Sequence, residues 1–216
     1  SEAPALFSPH PLFENFGERV GRSEACVRLG VDPANRYVLF FGLIRDYKGL
    51  DLLLDAWAQL KRAGRTEGRR LIVAGEFYTA KEPYLKQIAD NGLQDEVLLH
   101  DRFIPDDDVK YYFSAADFVV QPYKTATQSG VTQIAYQFCV PMVVTAVGGL
   151  PEIVPDGRVG YVCPPTADGV AAAIGRMYEG DTLTRFRENC VDVRRRFSWA
   201  EMCSRITELY GMVAPK

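Results

Sequence analysis

The sequence predicts an α/β fold: one parallel β-sheet with helices on both faces, ending in helices at the carboxyl terminus. Three observations carry this reading. Short apolar runs alternate along the chain with stretches of helical spacing. The runs are apolar on successive residues, as in strands covered on both faces, and not on every second residue. The first strong run breaks at a glycine, Gly42, just before two cations and a helical pattern.

Taken in order, residues 1–20 are rich in Pro, Phe and Gly, show no period, and read as an irregular approach segment. Residues 37–41 (Tyr-Val-Leu-Phe-Phe) are aromatic and β-branched, which predicts a buried strand. Leu50, Leu53, Leu54, Trp57 and Leu60 then recur with helical spacing, which predicts a helix to about residue 63. A strand is expected at 70–75, a helix at 83–90 from the spacing of Tyr84, Leu85 and Ile88, and a strand at 97–100. Pro105 followed by Asp106, Asp107 and Asp108 predicts a helix start, because proline suits a first turn and carboxylates complement the positive end of the helix dipole. That helix turns Val109, Tyr112 and Phe113 inward. Further strands are expected at 117–121, 141–145 and 160–163, a helix at 131–138, and three helical pieces over 166–210. Consecutive parallel strands need crossover helices, and such crossovers are right-handed.

Composition narrows the function classes. With 25 Lys and Arg against 28 Asp and Glu the net charge is −3, which argues against nucleic acid as a partner. Basic clusters at Lys61-Arg62, Arg65, Arg69-Arg70 and Arg194-Arg195-Arg196 fall beside helix ends and loops, where solvated charge explains them. The five cysteines (Cys26, Cys139, Cys163, Cys190, Cys203) lack paired metal-ligand spacing and read as reduced, which fits the cytoplasm. No apolar run approaches the roughly 20 residues of a membrane helix, and no leader pattern opens the sequence. His10 and His100 have no visible partners, so neither a metal site nor a Ser-His-Asp arrangement is expected.

The chemistry concentrates after the first strand. Arg45 and Lys48 sit on the loop between strand and helix, at the carboxyl end of the sheet, where phosphate-bearing ligands bind in open α/β folds. An Arg grips a phosphate with paired donors and a Lys supplies a point charge. Farther along, Ser129, Gly130 and Val131 open a helix whose first N–H groups are available to an anion. A dinucleotide site would show Gly-x-Gly-x-x-Gly after the first strand; this chain has Gly42-Leu-Ile-Arg, so a dinucleotide oxidoreductase or a related nucleotide-binding enzyme such as an epimerase is the lesser reading.

Gly42 to Gly49, the elements from 117 to 145, the turn Val147-Gly-Gly-Leu-Pro-Glu152, Asp156-Gly157, Gly160 and Phe197-Ser-Trp199 together resemble the group-1 (family 4) retaining glycosyltransferases. More narrowly, the chain is similar to the carboxyl-terminal, Rossmann-like, donor-binding half of their two-domain B-type fold. The resemblance implies a donor domain over 21–216, an interdomain approach over 1–20, and an amino-terminal acceptor domain absent from this chain. It implies transfer from a UDP- or GDP-sugar with retention, no required cofactor or metal, and little transfer by this half alone. The acceptor stays open among glycan, small molecule and lipid, including a lipid-linked one at the inner membrane face. The resemblance places Arg45 and Lys48 at the donor pyrophosphate as catalytic cations, Arg45 displaced because Leu43 stands where the family's Arg follows glycine. Gly42, Gly75, Glu76, Phe103 and Ile104 fall in the donor site, the base being held largely by backbone. Glu152 matches a family glutamate that either caps a local helix start or touches the ligand. The family's two glutamates seven residues apart fall on Ala126 and Ile134, leaving Gln128, Thr132 and Gln133 for ribose or sugar. Their loss implies an altered donor sugar or, as the alternative, a non-catalytic module with a decayed sugar site; for Gln133 an exposed helix face is the simpler expectation.

Overall fold

The computed structural model describes residues 4–213. Six parallel strands form one sheet: β1 (Arg36–Phe41), β2 (Arg69–Ala74), β3 (Val97–His100), β4 (Phe118–Gln121), β5 (Met142–Thr145) and β6 (Gly160–Cys163). Their spatial order is β3-β2-β1-β4-β5-β6. The chain builds outward from β1 to β3, then returns to pair β4 with β1 and builds the other way. The loops after β1 and β4 therefore diverge at the centre of the sheet, leaving a crevice at their carboxyl ends.

Successive strand residues face opposite layers, and both layers are apolar. Tyr37, Leu39, Ile72, Val119 and Val144 pack against α1 (Arg22–Leu29), α4 (Asp106–Ala115) and α5 (Gly130–Gln137). Val38, Phe40, Leu71, Val73, Val120 and Val143 pack against α2 (Leu50–Arg62), α3 (Glu82–Asp90), α7 (Ala167–Met177) and α8 (Thr182–Val193). α2 follows its apolar spacing: Leu50, Leu53, Leu54, Trp57 and Leu60 are all buried. Trp57 also donates its Nε1–H to Glu96 at 2.9 Å, so its buried indole leaves no polar group orphaned.

The expected strands and helices are present with shifts of one or two residues, and the structure departs from the reading at four places. α1 forms within a stretch assigned no element; only Ala25 and Cys26 of it are buried and Val27 is exposed, so its apolar period is too weak to see. Pro105 stands just before α4 with extended ψ of 148°, not inside its first turn. Leu85 is exposed, because α3 meets the core through Tyr84 and Ile88. A 3-10 turn at Glu14–Phe16 was not foreseen, whereas the local helix start considered at Glu152 is present as a four-residue helix, α6 (Leu150–Ile153). After α8 the chain makes a 3-10 turn (Arg194–Phe197) and then α9 (Trp199–Val213).

The loops at the crevice close on each other through backbone. Gly49 has φ of +68°, and a Cβ there would lie 2.0 Å from the Pro122 carbonyl oxygen. A side chain at Gly49 would meet both a disfavoured backbone region and an immovable neighbour. Gly49→Ala is expected to destabilise the fold by about 2 kcal/mol or more. An unchanged denaturation midpoint in urea would contradict this close approach.

Candidate functional site

A cavity of about 350 Å³ opens at the carboxyl edge of β1 and β4. Lys48 enters it from the 3-10 turn Asp46–Lys48, and Ser129, Gly130 and Val131 enter it from the start of α5. Gly42 makes room for the lysine: a Cβ at Gly42 would sit 3.2 Å from Lys48 Nζ and 3.7 Å from a Val131 methyl. Lys48 Nζ lies 5.8 Å from the Tyr123 ring centroid, and the Tyr123 hydroxyl lies 3.2 Å from Ser129 Oγ. Ser129 caps α5 by accepting from the Val131 N–H at 3.2 Å, while the Gly130 N–H, in the first turn, has no intrahelical acceptor.

Among the described residues no carboxylate lies within ion-pair reach of Lys48. Burial pushes its pKa down to about 8, and the neighbouring Arg45 charge adds to the fall. A desolvated cation facing the positive end of a helix is unfavourable until an anion enters, and then both groups favour that anion.

A second, smaller cavity of about 190 Å³ adjoins the first. Phe16, Phe41 and Gly42 line both, so the two form one trough across the ends of β1 and β2. Gly75, Glu76, Phe103 and Ile104 line this second part. Gly75 is the other tight glycine of the site: with φ of +147°, a Cβ on it would lie 2.1 Å from the Gly42 carbonyl oxygen.

Ten of the expected site residues thus line the trough: Gly42, Lys48, Gln128, Ser129, Gly130 and Val131 at one end, Gly75, Glu76, Phe103 and Ile104 at the other. Three do not. Arg45 lines neither cavity; its extended backbone carries the guanidinium to 5.2 Å from the Tyr78 ring, so the expected convergence of both cations is absent. Gln133 is 3% exposed, against the simpler expectation of an exposed face, and buries an Oε1 without a partner, because α5 is covered on nearly every side. Glu152 is exposed in the first turn of α6, and only its carbonyl is engaged, accepting from Arg196 at 3.2 Å. Thr132 is fully buried and donates to the Ser129 carbonyl at 2.5 Å.

The sequence reading missed the aromatic wall. Phe13, Phe16, Tyr47 and Tyr123 all line the larger cavity, together with Ile134. Phe13 and Phe16 arrive on the approach segment, held by Leu12 N–H donating to Phe197 O at 2.9 Å and Val20 N–H donating to Ser114 Oγ at 3.1 Å. Phe13 lies 3.3 Å from where a Gly130 Cβ would be. Two phenylalanines three residues apart in a segment without a period were the available signal.

Residues 35–180 match the family model described as Glycosyl transferases group 1. The chain is 30% identical over 199 residues to D-inositol 3-phosphate glycosyltransferase 1 of Catenulispora acidiphila, covering 88% of this chain and 47% of that protein. It thus spans about half the length of the relatives it matches. Its fold is similar to the C-terminal domain of a glycosyl transferase group 1 family protein (LpcC) from Francisella tularensis, with a TM-score of 0.71, 19% identity, and coverage of 83% of this chain and 94% of that one. It is also similar to Anabaena HepE in complex with UDP and glucose, with a TM-score of 0.69, 24% identity, and coverage of 89% and 52%.

The lowered pKa of Lys48 has a stability consequence. Between about 8, its folded value, and 10.5, its ordinary value, the unfolded chain binds more protons, so this residue makes stability rise with pH across that window. Lys48→Met keeps the stem and removes the desolvated charge, and is expected to raise stability near pH 7 by on the order of 1 kcal/mol. Thermal melting at pH 7 and pH 10 should show the gain shrinking with pH; a destabilised variant would contradict the account.

Proposed function

The chain belongs to the group 1 glycosyl transferases, and on that premise we propose that it is the donor-binding, carboxyl-terminal half of a retaining transferase of the B-type fold. One observation carries the reading: an unpaired, half-buried lysine faces the first turn of a helix across a cavity at the sheet's switch point. That arrangement suits a pyrophosphate, which takes a point charge from one side and N–H donors from the other. The half-length match to relatives and the near-complete match to a separate C-terminal domain support the assignment to one half. The likeness to a protein bound to UDP and glucose supports a nucleotide-sugar, UDP- or GDP-linked, as the ligand.

In this proposal the diphosphate lies between Lys48 and the Gly130 N–H, the nucleoside runs along Phe16 and Phe41, and the base rests near Gly75, Glu76, Phe103 and Ile104. Transfer breaks the bond between the anomeric carbon and the bridging phosphate oxygen, whose electron pair departs with the nucleoside diphosphate, while an acceptor hydroxyl oxygen bonds to the anomeric carbon and its proton passes to the departing phosphate. Lys48 and the helix start stabilise that charge as it develops, the task a metal ion performs in other transferases. Arg45 serves as a second cation by leaving the Tyr78 ring when donor binds. The sugar lies near Gln128, in a pocket where Ala126 and Ile134 supply no carboxylate, and so differs from the family's common hexoses in its hydroxyls. An amino-terminal domain holds the acceptor, in the cytoplasm or at the inner membrane face, and without it this chain binds donor but transfers little.

The apolar Ile134 on the cavity wall favours one second reading, a non-catalytic module whose sugar site has decayed. Turnover decides between them: joined to the amino-terminal region of its full-length protein the chain should transfer sugar, whereas a decayed module stays inactive.

Calorimetry with UDP and GDP tests the donor site. Lys48→Ala is expected to weaken the tighter of the two by about 1.5–3 kcal/mol, the range for hydrogen bonds to charged groups. Because an anion raises the lysine pKa from about 8, wild-type affinity should fall about tenfold per pH unit above that value, and Lys48→Ala should lack this fall. Unchanged affinity in a folded Lys48→Ala chain would sink the assignment.

A further inference from the structure

A nucleotide's pentose joins its phosphate to its base, so a nucleotide lying along the trough sets its pentose across the residues that both cavities share, Phe16, Phe41 and Gly42. Around that span the hydroxyls of α5 and its cap are engaged, and among the described residues no carboxylate stands beside them. Ser129 Oγ is occupied by the Val131 N–H and the Tyr123 hydroxyl, Thr132 donates to the Ser129 carbonyl, and Ile134 presents hydrocarbon. Covering a ribose diol there without partners would cost roughly 1–3 kcal/mol for each unsatisfied hydroxyl.

Two carboxylates remain on the trough wall, Glu76 and Asp106. Asp106 already accepts from Asn15 Nδ2 at 3.2 Å and sits in the first turn of α4. Glu76 is exposed, and among the described residues its carboxylate has no partner. Its backbone is nonetheless fixed: its carbonyl accepts from the Ile44 N–H at 2.8 Å, and Gly75 before it packs directly on the Gly42 carbonyl. The side chain therefore issues from a rigid point at the end of β2, beside the glycine turn that follows β1. An acidic group at the end of the second strand, next to a phosphate-binding first turn, is in the position to accept from ribose hydroxyls.

We infer that Glu76 binds the ribose 2′,3′-diol of the donor nucleotide, supplying from β2 the carboxylate that α5 lacks. This inference rests on the donor reading above, and the test separates the two. Calorimetry compares UDP with 2′-deoxy-UDP and GDP with 2′-deoxy-GDP, pairs that differ by one hydroxyl. The ribonucleotide of the better-bound base should bind on the order of tenfold tighter than its deoxy partner, as expected for a hydrogen bond to a charged acceptor. Glu76→Ala should bring that ratio to within about twofold by weakening the ribonucleotide alone, Glu76→Gln should keep part of it through its amide oxygen, and Asp106→Asn should keep it whole. Equal binding of the two sugars by the wild type, or a ratio that survives in Glu76→Ala, would overturn the role of Glu76 and leave the donor site standing. Binding of none of the four nucleotides would overturn both.

Discussion

The site depends on two loops being able to touch. The segment after β1 and the segment after β4 leave the sheet at its switch point, and they meet backbone to backbone because Gly49 has no side chain where Pro122 presents its carbonyl. The Lys124 N–H donates to the Tyr47 carbonyl at 2.7 Å, and Lys124 Nζ pairs with Asp51 at 2.6 Å, so the same two loops are tied again beside the glycine. A third contact follows the same logic: Gly148, at φ of +51°, lies where a Cβ would fall 1.6 Å from the Ala126 carbonyl, and the Gly149 N–H donates to Thr127 at 2.9 Å. Two approaches that only glycine allows, with the Lys124 ties beside the first, thus fix the β4–α5 loop between its neighbours, and with it the direction in which α5 opens.

That fixed frame is what makes Lys48 unusual. A surface lysine keeps its hydration and its ordinary pKa, whereas this one is held over the Tyr123 ring, among Gly42, Val131 and aromatic walls. The cost of desolvating the ammonium is met by no carboxylate among the described residues, and the helix start opposite adds to it. Such a site is strained toward an anion before one arrives, which is the preorganisation that electrostatic catalysis requires.

The elements that position the site were legible because their signals are local. Gly42 ends an unbroken apolar run, Lys48 and Gly49 precede a helix of clear spacing, and Ser-Gly at 129–130 opens another. What was not legible depends on where separate segments meet. Phe13 and Phe16 lie in a segment without a period, and their place on the cavity follows from Leu12 reaching Phe197 far along the chain. α1 hides because it buries few residues. Arg45 was placed at the phosphate by its charge, but the bridge between Ile44 and Phe77 brings Tyr78 beside it, and the guanidinium takes the ring face. Gln133 was open to an exposed reading because a lone glutamine does not reveal that its helix is enclosed.

The walls also say what the ligand must resemble. Aromatic and aliphatic groups line the trough, while the Lys48 charge and the Gly130 N–H gather at one end and carboxylates at the other. An elongated molecule with an anionic end and a flat, polar-edged end fits that division, and a nucleoside diphosphate has this form. A crystal structure of the chain with UDP or GDP tests this most directly. The account predicts the diphosphate within hydrogen-bonding distance of both Lys48 Nζ and the Gly130 N–H, with the base beside Gly75 and Ile104. Nucleotide bound elsewhere, for instance in the separate cavity beside Arg19, Arg194 and Arg195, with the Lys48 cavity left empty, would contradict it.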